Sequence, residues 1–172
     1  MSQGLSLLFV VDPLPSLKAY KDSTVAMMRS AAARGHDIWA CTPGQMQWRE
    51  GRVTARAQRL QMLPAADKDA PWFVELDAGA RALAGFDAVL MRKDPPFDTE
   101  FLYATHLLSA ASRDGAAVFN DPQALRDHNE KFAITEFADF TVPSLVTREM
   151  EALRRFHADL GQVVVKPLDG MG

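Results

Sequence analysis

Apolar residues run almost unbroken through residues 5–11, the pattern of a strand covered on both faces in a parallel sheet. Asp12-Pro13 ends the run, and Pro13 and Pro15 keep the next stretch from being helical throughout. A helix is predicted from the Lys21-Asp22-Ser23-Thr24 segment. Asp22, Ser23 or Thr24 supplies its cap, Val25, Met28, Ala31 and Ala32 share its inner face, and Gly35 stops it. Residues 36–42 read as a second strand, so the chain opens on a strand, helix, strand unit and a parallel sheet. Beyond Gly44 the alternation of residues 46–48 and 52–58 around Glu50-Gly51 predicts a hairpin with an exposed arm, and residues 72–76 a further short strand.

Residues 86–91 form another apolar, strand-like run that leads straight into Arg92, Lys93 and Asp94. Pro95 and Pro96 forbid helix or ladder continuation, so these charges sit at a strand's carboxyl end. Asp98 or Thr99 then caps a helix whose buried face is Phe101, Ala104, Leu107, Leu108 and Ala111. In open α/β sheets such loops line the ligand crevice, although a solvated connection has the same composition. Ser23, with Lys18, Lys21 and Asp22, occupies the equivalent place after the first strand, where capping and anion binding both suit the residues. No G-x-G-x-x-G follows that strand, which disfavours a dinucleotide domain.

Gly115 resets the chain, residues 117–120 read as a short strand, and Asn120-Asp121-Pro122 is a strong break where a first domain ends. Residues 123–127 suit one helical turn, and Asn129-Glu130-Lys131 opens a helix to about Phe137. A strand at 144–147, a helix at 149–160 and a strand at 163–166 follow. Lys166 then stands at the head of Pro-Leu-Asp-Gly-Met-Gly. A lysine at a strand end beside a glycine loop can neutralise phosphate oxygens, although the order differs from the G-x-x-x-x-G-K-[ST] loop.

Composition narrows the class. The 172 residues, 48% hydrophobic and 24% charged, suit a globular chain of one domain and part of another. No apolar run reaches the roughly 20 residues of a spanning helix, and residues 5–11 lack the flanks of a leader, so a cytoplasmic protein with no membrane partner is expected. The net charge of −3 makes no case for nucleic acid. The lone Cys41 excludes an internal disulfide and reads as a small core residue rather than a nucleophile. His36, His106, His128 and His157 have no metal-ligand spacing and read as structural or surface residues. Arg52, Arg56 and Arg59 read as a solvated hairpin face.

Several strings agree with one family. Val-Val-Asp-Pro ending at Pro13, Lys-Asp-Ser-Thr ending at Thr24, Leu-Met-Arg-Lys-Asp-Pro-Pro-Phe-Asp-Thr-Glu-Phe ending at Phe101, Asn-Glu-Lys ending at Lys131 and Val-Lys-Pro-Leu-Asp-Gly-Met-Gly ending at Gly172 resemble bacterial glutathione synthetase along the length of the chain. The resemblance implies an α/β fold: a parallel-sheet, Rossmann-like pre-ATP-grasp domain at 1–122, followed by the start of an ATP-grasp domain at 123–172. It implies an ATP-dependent ligase that joins γ-glutamylcysteine to glycine through an acyl phosphate, with ATP and Mg2+ as cofactors. Phosphoryl transfer of this kind rests on positioning and charge neutralisation, so no acid-base residue is required of this stretch.

By the same resemblance Lys131 and Lys166 are nucleotide-binding lysines, and Gly170 and Gly172 begin the mobile glycine loop with Asp169 beside them. Arg92 and Lys93, with Asp12 and Ser23, line the γ-glutamylcysteine side, where an arginine fork suits a carboxylate. The family's metal-binding acids lie in a carboxyl-terminal part beyond these residues, so no metal ligand is assigned and the 172-residue chain alone is expected to be inactive. A homo-oligomer is implied for the complete protein. Two other readings fit the sequence: another ATP-grasp carboxylate-amine ligase, or a non-catalytic module that binds a small acid or a partner chain.

Overall fold

The computed structural model describes residues 4–64, 68, 70–93 and 96–168. Asp94, Pro95, Asp169, Gly170 and Gly172 lie outside the described residues. Strands β1 (Ser6–Val10), β2 (Asp37–Cys41), β3 (Met46–Arg49), β4 (Arg52–Met62), β5 (Phe73–Ala82), β6 (Ala88–Met91) and β7 (Val118–Phe119) join in one mixed sheet. Helices α1 (Ser23–Ala33), α2 (Thr99–Arg113), α3 (Pro122–Asp127) and α4 (Met150–Leu160) are interspersed.

The order β2-β1-β6-β7 is parallel throughout, as the opening pattern predicts. Alternation along β1 divides the core: Leu8 and Val10 join one cluster with Ala104, Leu108 and Ala111 of α2, while Phe9 and Val11 join another with Val25 and Met28 of α1. A central strand buried on both faces gains about 1.5–3 kcal/mol from each large side chain it removes from water, which is why β1 is apolar at nearly every position.

The second half of the sheet is antiparallel, as the predicted hairpin requires, but that hairpin is not an exposed arm: Val53, Ala55 and Ala57 of β4 are buried in the α2-side core. Small residues at alternate positions let α2 approach that strand closely. Glu50 and Gly51, both at positive φ, close the β3–β4 hairpin as expected of a two-residue turn. The short strand predicted at 72–76 extends instead to Ala82, because β4 is long enough to pair with it from Met62↔Phe73 to Thr54↔Ala82.

Helix boundaries follow their chemistry. Asp22 caps α1, its Oδ1 accepting from the amides of Thr24 (2.8 Å) and Val25 (3.1 Å). Asp98 caps α2 through the amide of Phe101 at 2.8 Å. Gly35 at φ 82° and Gly115 at φ 99° take the left-handed conformation that follows each helix. The helix predicted to open at Asn129 is instead a turn followed by 3-10 segments over Ala133–Phe140, kinked at Phe137. Asn129 Oδ1 accepts from the amides of Lys131 (3.0 Å) and Phe132 (3.2 Å), a local bond that competes with regular helix. The strands predicted at 144–147 and 163–166 are not formed. Neither has a ladder partner among the described residues, and backbone that is not paired in a sheet is no strand. α4 forms as predicted but buries no residue.

Candidate active site

The register of the parallel strands assembles the first part of the site. Val10 of β1 stands opposite Met91 of β6, so Asp12 and Lys93, each two residues further on, emerge side by side at the carboxyl ends. Their side chains meet, Lys93 Nζ lying 2.9 Å from Asp12 Oδ1, with only about a quarter or less of either exposed. The ladder runs one residue past β6, the Arg92 amide donating to the Val10 carbonyl at 2.8 Å, which fixes the origin of the Arg92 side chain.

That side chain crosses to the start of α1. Arg92 Nε donates to Thr24 Oγ1 at 3.2 Å and Nη2 donates to Ser23 Oγ at 3.1 Å. Ser23 is therefore not the helix cap. Asp22 does that work, which releases the Ser23 hydroxyl to receive the guanidinium. Thr24, buried and polar, is a site residue that the sequence offered only as a capping alternative. A guanidinium with two of its donors held keeps a fixed plane, and the fork geometry that matches a carboxylate is thereby pre-set.

The second part of the site comes from the segment after α3. A cleft of about 200 Å³ is lined by Arg92 and Lys93 together with His128, Asn129, Glu130 and Lys131. Phe97, Phe101, Leu125 and Leu168 supply its apolar walls. The Asn129 turn described above directs Lys131 inward, and Lys131 Nζ donates to the Pro167 carbonyl at 2.6 Å. Pro167 and Leu168 are thus drawn to the cleft.

Of the predicted site residues, Arg92, Lys93 and Lys131 converge on this cleft, while Asp12 and Ser23 stand behind it as partners of the two strand-end cations. Lys166 is exposed and is not among the lining residues, although its neighbours Pro167 and Leu168 reach the site. Gly170 and Gly172 fall outside the described residues. His128, read as a structural or surface residue, stands at the cleft with Nδ1 3.0 Å from Glu136 Oε1. Its position beside Asn-Glu-Lys was the one signal that could have marked it. His36 is structural as read, Nδ1 accepting from the Leu5 amide at 3.1 Å. Arg59 pairs with Asp37 at 2.5 Å rather than standing in solvent alone.

Cys41 takes no part. It is buried in the α2-side core, and burial pushes its thiol up from 9.0 to about 12, the opposite of the shift a nucleophile needs. Among the described residues no group of three or more His, Cys, Asp or Glu side chains is placed to hold a metal ion, and no helix is long and apolar enough to cross a membrane.

Residues 5–126 match the family model described as the N-terminal domain of prokaryotic glutathione synthetase, and residues 130–172 match the model of its ATP-grasp domain. Curated relatives named glutathione synthetase include those of Bordetella parapertussis, 52% identical over 98% of this chain and 54% of that protein, and Ralstonia nicotianae, 52% identical over 98% and 51%. That of Nitrosomonas europaea is 48% identical over 98% of this chain and 52% of its own length. A solved structure of the ATP-grasp ligase PsnB aligns at a TM-score of 0.48 with 22% identity, covering 99% of this chain and 55% of that one. The chain spans about half the length of the curated relatives it matches. Two adjoining family models that together cover nearly all of the sequence, with relatives at about half identity, leave one assignment: this chain belongs to the prokaryotic glutathione synthetase family.

Proposed function

We propose that this chain is the amino-terminal part of an ATP-dependent ligase that joins γ-glutamylcysteine to glycine. Residues 1–122 would form its substrate-binding domain and residues 123–172 the beginning of its ATP-grasp domain. The observation that carries the reading is the convergence of Arg92, Lys93 and Lys131 on one cleft at the carboxyl ends of parallel strands. Two of the three reactants, γ-glutamylcysteine and ATP, are anions that must meet there. Cations fixed by the backbone lower the cost of bringing them together.

In this reading the Arg92 guanidinium, oriented by Ser23 and Thr24, receives a carboxylate of γ-glutamylcysteine, with Lys93 and its partner Asp12 beside it. Lys131 faces the nucleotide, and Lys166 joins it from the residues that precede Gly170 and Gly172. Ammonium groups suit phosphate oxygens as mobile point charges, so the residues present fit ATP. ATP, when bound, supplies the phosphoryl group that activates the carboxylate for attack by glycine. The Mg2+ of the reaction has no ligands assigned here, since the described residues hold no acidic cluster for it. A cytoplasmic setting and a homo-oligomer belong to the same proposal.

The test uses the whole protein of which this chain is a part. ATP- and glycine-dependent formation of glutathione is the expected activity, and its absence in a folded, complete protein would overturn the reading. Arg92→Ala should raise KM for γ-glutamylcysteine at least about tenfold and leave KM for ATP nearly unchanged, the value of one charge-assisted bond pair. Lys131→Ala should act chiefly on ATP.

A further inference from the structure

The loop that brings Lys131 to the cleft is closed on itself. It leaves α3 at His128, whose amide donates to the Ala124 carbonyl at 2.9 Å, and it turns back at once, the Ala133 amide donating to the Asn129 carbonyl at 2.8 Å. Asn129 Oδ1 holds the Lys131 and Phe132 amides inside that turn. Glu136, eight residues beyond His128, sits in the 3-10 segment just before the kink at Phe137. Its carboxylate only accepts, so His128 Nδ1 carries the proton and donates to Oε1 at 3.0 Å. That bond joins the two feet of the loop, and Lys131 projects from a closed ring.

One foot is fixed to the core. Arg126 Nη1 donates to Ser109 Oγ of α2 at 3.0 Å in a part-buried bond, and Leu125 packs on the α2-side core. Helix α2 also gives Phe101 to the cleft wall, so Lys131 and that wall share one support. The other foot has less to hold it. No residue of Ala133–Phe140 is buried, and 3-10 turns have poorer hydrogen-bond geometry than α-helix. A bond from the anchored foot to the loose one therefore decides where the turn between them stands. A lysine carries its charge on a flexible four-carbon stem, so the place of its backbone sets what the ammonium can reach. With side chains 58% and 47% exposed, the pair adds little to global stability, and its effect is local.

We propose that His128 and Glu136 are positioning residues: their hydrogen bond closes the 128–136 loop and sets Lys131 at the cleft before its anionic ligand arrives. A loop closed beforehand loses less freedom on binding, which raises affinity without adding a contact. The consequence for activity rests on the reading of Lys131 as the cation that faces ATP. The clasp itself does not.

The experiment has two readouts on the complete protein, with circular dichroism to show that each variant folds. The first is the rate at which acetic anhydride modifies Lys131 in the ligand-free protein, followed by mass spectrometry relative to the other lysines. His128→Ala and Glu136→Ala should each raise it about threefold. The second is steady-state kinetics. Both variants should raise KM for ATP about three- to fivefold, with smaller changes in kcat and in KM for γ-glutamylcysteine. The double variant should be no worse than either alone, because all three lack the same bond. His128→Asn, whose amide nitrogen stands where Nδ1 does, should recover most of both effects, whereas His128→Gln, which reaches the place of Nε2, should not. Lys131 acetylation unchanged by both alanine variants overturns the proposal. So does recovery by His128→Gln and not by His128→Asn, which places the work of His128 at Nε2, on a ligand. Faster acetylation with an unchanged KM for ATP keeps the clasp and overturns the reading of Lys131 as the nucleotide's cation.

Discussion

Lys93 Nζ lies 2.9 Å from Asp12 Oδ1 because the parallel register of β1 and β6 sets Val10 opposite Met91, two residues before each of them. The pair is mostly shielded from solvent, so it differs from the surface ion pairs whose median worth is near zero. Asp12→Asn keeps the shape and removes one charge, leaving Lys93 beside a neutral amide. It is expected to lower stability by about 1–2 kcal/mol. Urea denaturation checks this: the midpoint should fall with the slope unchanged, and an unchanged midpoint would show that the pair stabilises nothing.

Thr24 orients Arg92 without facing the cleft itself. In the complete protein Thr24→Val, which preserves volume and removes the acceptor of Arg92 Nε, should raise KM for γ-glutamylcysteine about five- to tenfold, less than the full value of a hydrogen bond to a charged group because Ser23 still holds the guanidinium. Thr24→Ser retains an oxygen and should restore most of the loss. Steady-state kinetics with both variants separates orientation of Arg92 from a general loosening of α1, since loosening would appear in both.

The assignment of the α1 cap to Asp22 rather than Ser23 is open to a direct comparison. Asp22→Ala removes the acceptor of two amides and should cost about 1 kcal/mol, whereas Ser23→Ala leaves the cap in place and should cost under about 0.5 kcal/mol. Thermal denaturation of the two variants gives the order, and an equal or reversed effect would return the cap to Ser23.

Burial of Cys41 makes stability fall on the alkaline side. The thiol's proton is held to about 12 in the folded chain but is lost from 9.0 upward once the chain unfolds. Below that lower value both states carry the proton and the contribution is fully present. Above it the unfolded state releases a proton that the folded state keeps, so stability declines with rising pH, at up to about 1.4 kcal/mol per unit for one group. The decline in denaturation midpoint between those limits should be shallower for Cys41→Ala than for the parent chain. A thiol reagent should modify Cys41 slowly in the native protein and rapidly in urea, and rapid native labelling would contradict the burial.

The strand ends that carry the site were legible because they sit where apolar runs stop. Arg92 and Lys93 follow β6 without a spacer, and two prolines come soon after, so the sequence alone placed them at a carboxyl end. The same holds for Asp12 after β1 and for the capping residues of α1 and α2. What resisted reading was anything settled by a partner far along the chain. The hairpin of β3 and β4 looked solvated because its inward residues, Val53, Ala55 and Ala57, are small, and only the approach of α2 shows that they are core.

Local pattern therefore determined the elements, their order and the cations at their ends, since periodicity, caps and prolines act within a few residues. It also determined the family, through strings that persist along nearly the whole chain. The tertiary structure decided that the sheet is mixed, that Asp22 caps α1 while Ser23 and Thr24 turn toward Arg92, and that Lys131 shares a cleft with Arg92 and Lys93. It also withheld strand structure from 144–147 and 163–166, whose apolar patterns are sound. A β-strand is completed by the neighbour that pairs with it, and a binding site by the residues that the register brings opposite one another. Neither of those is written in the spacing of residues along a single stretch.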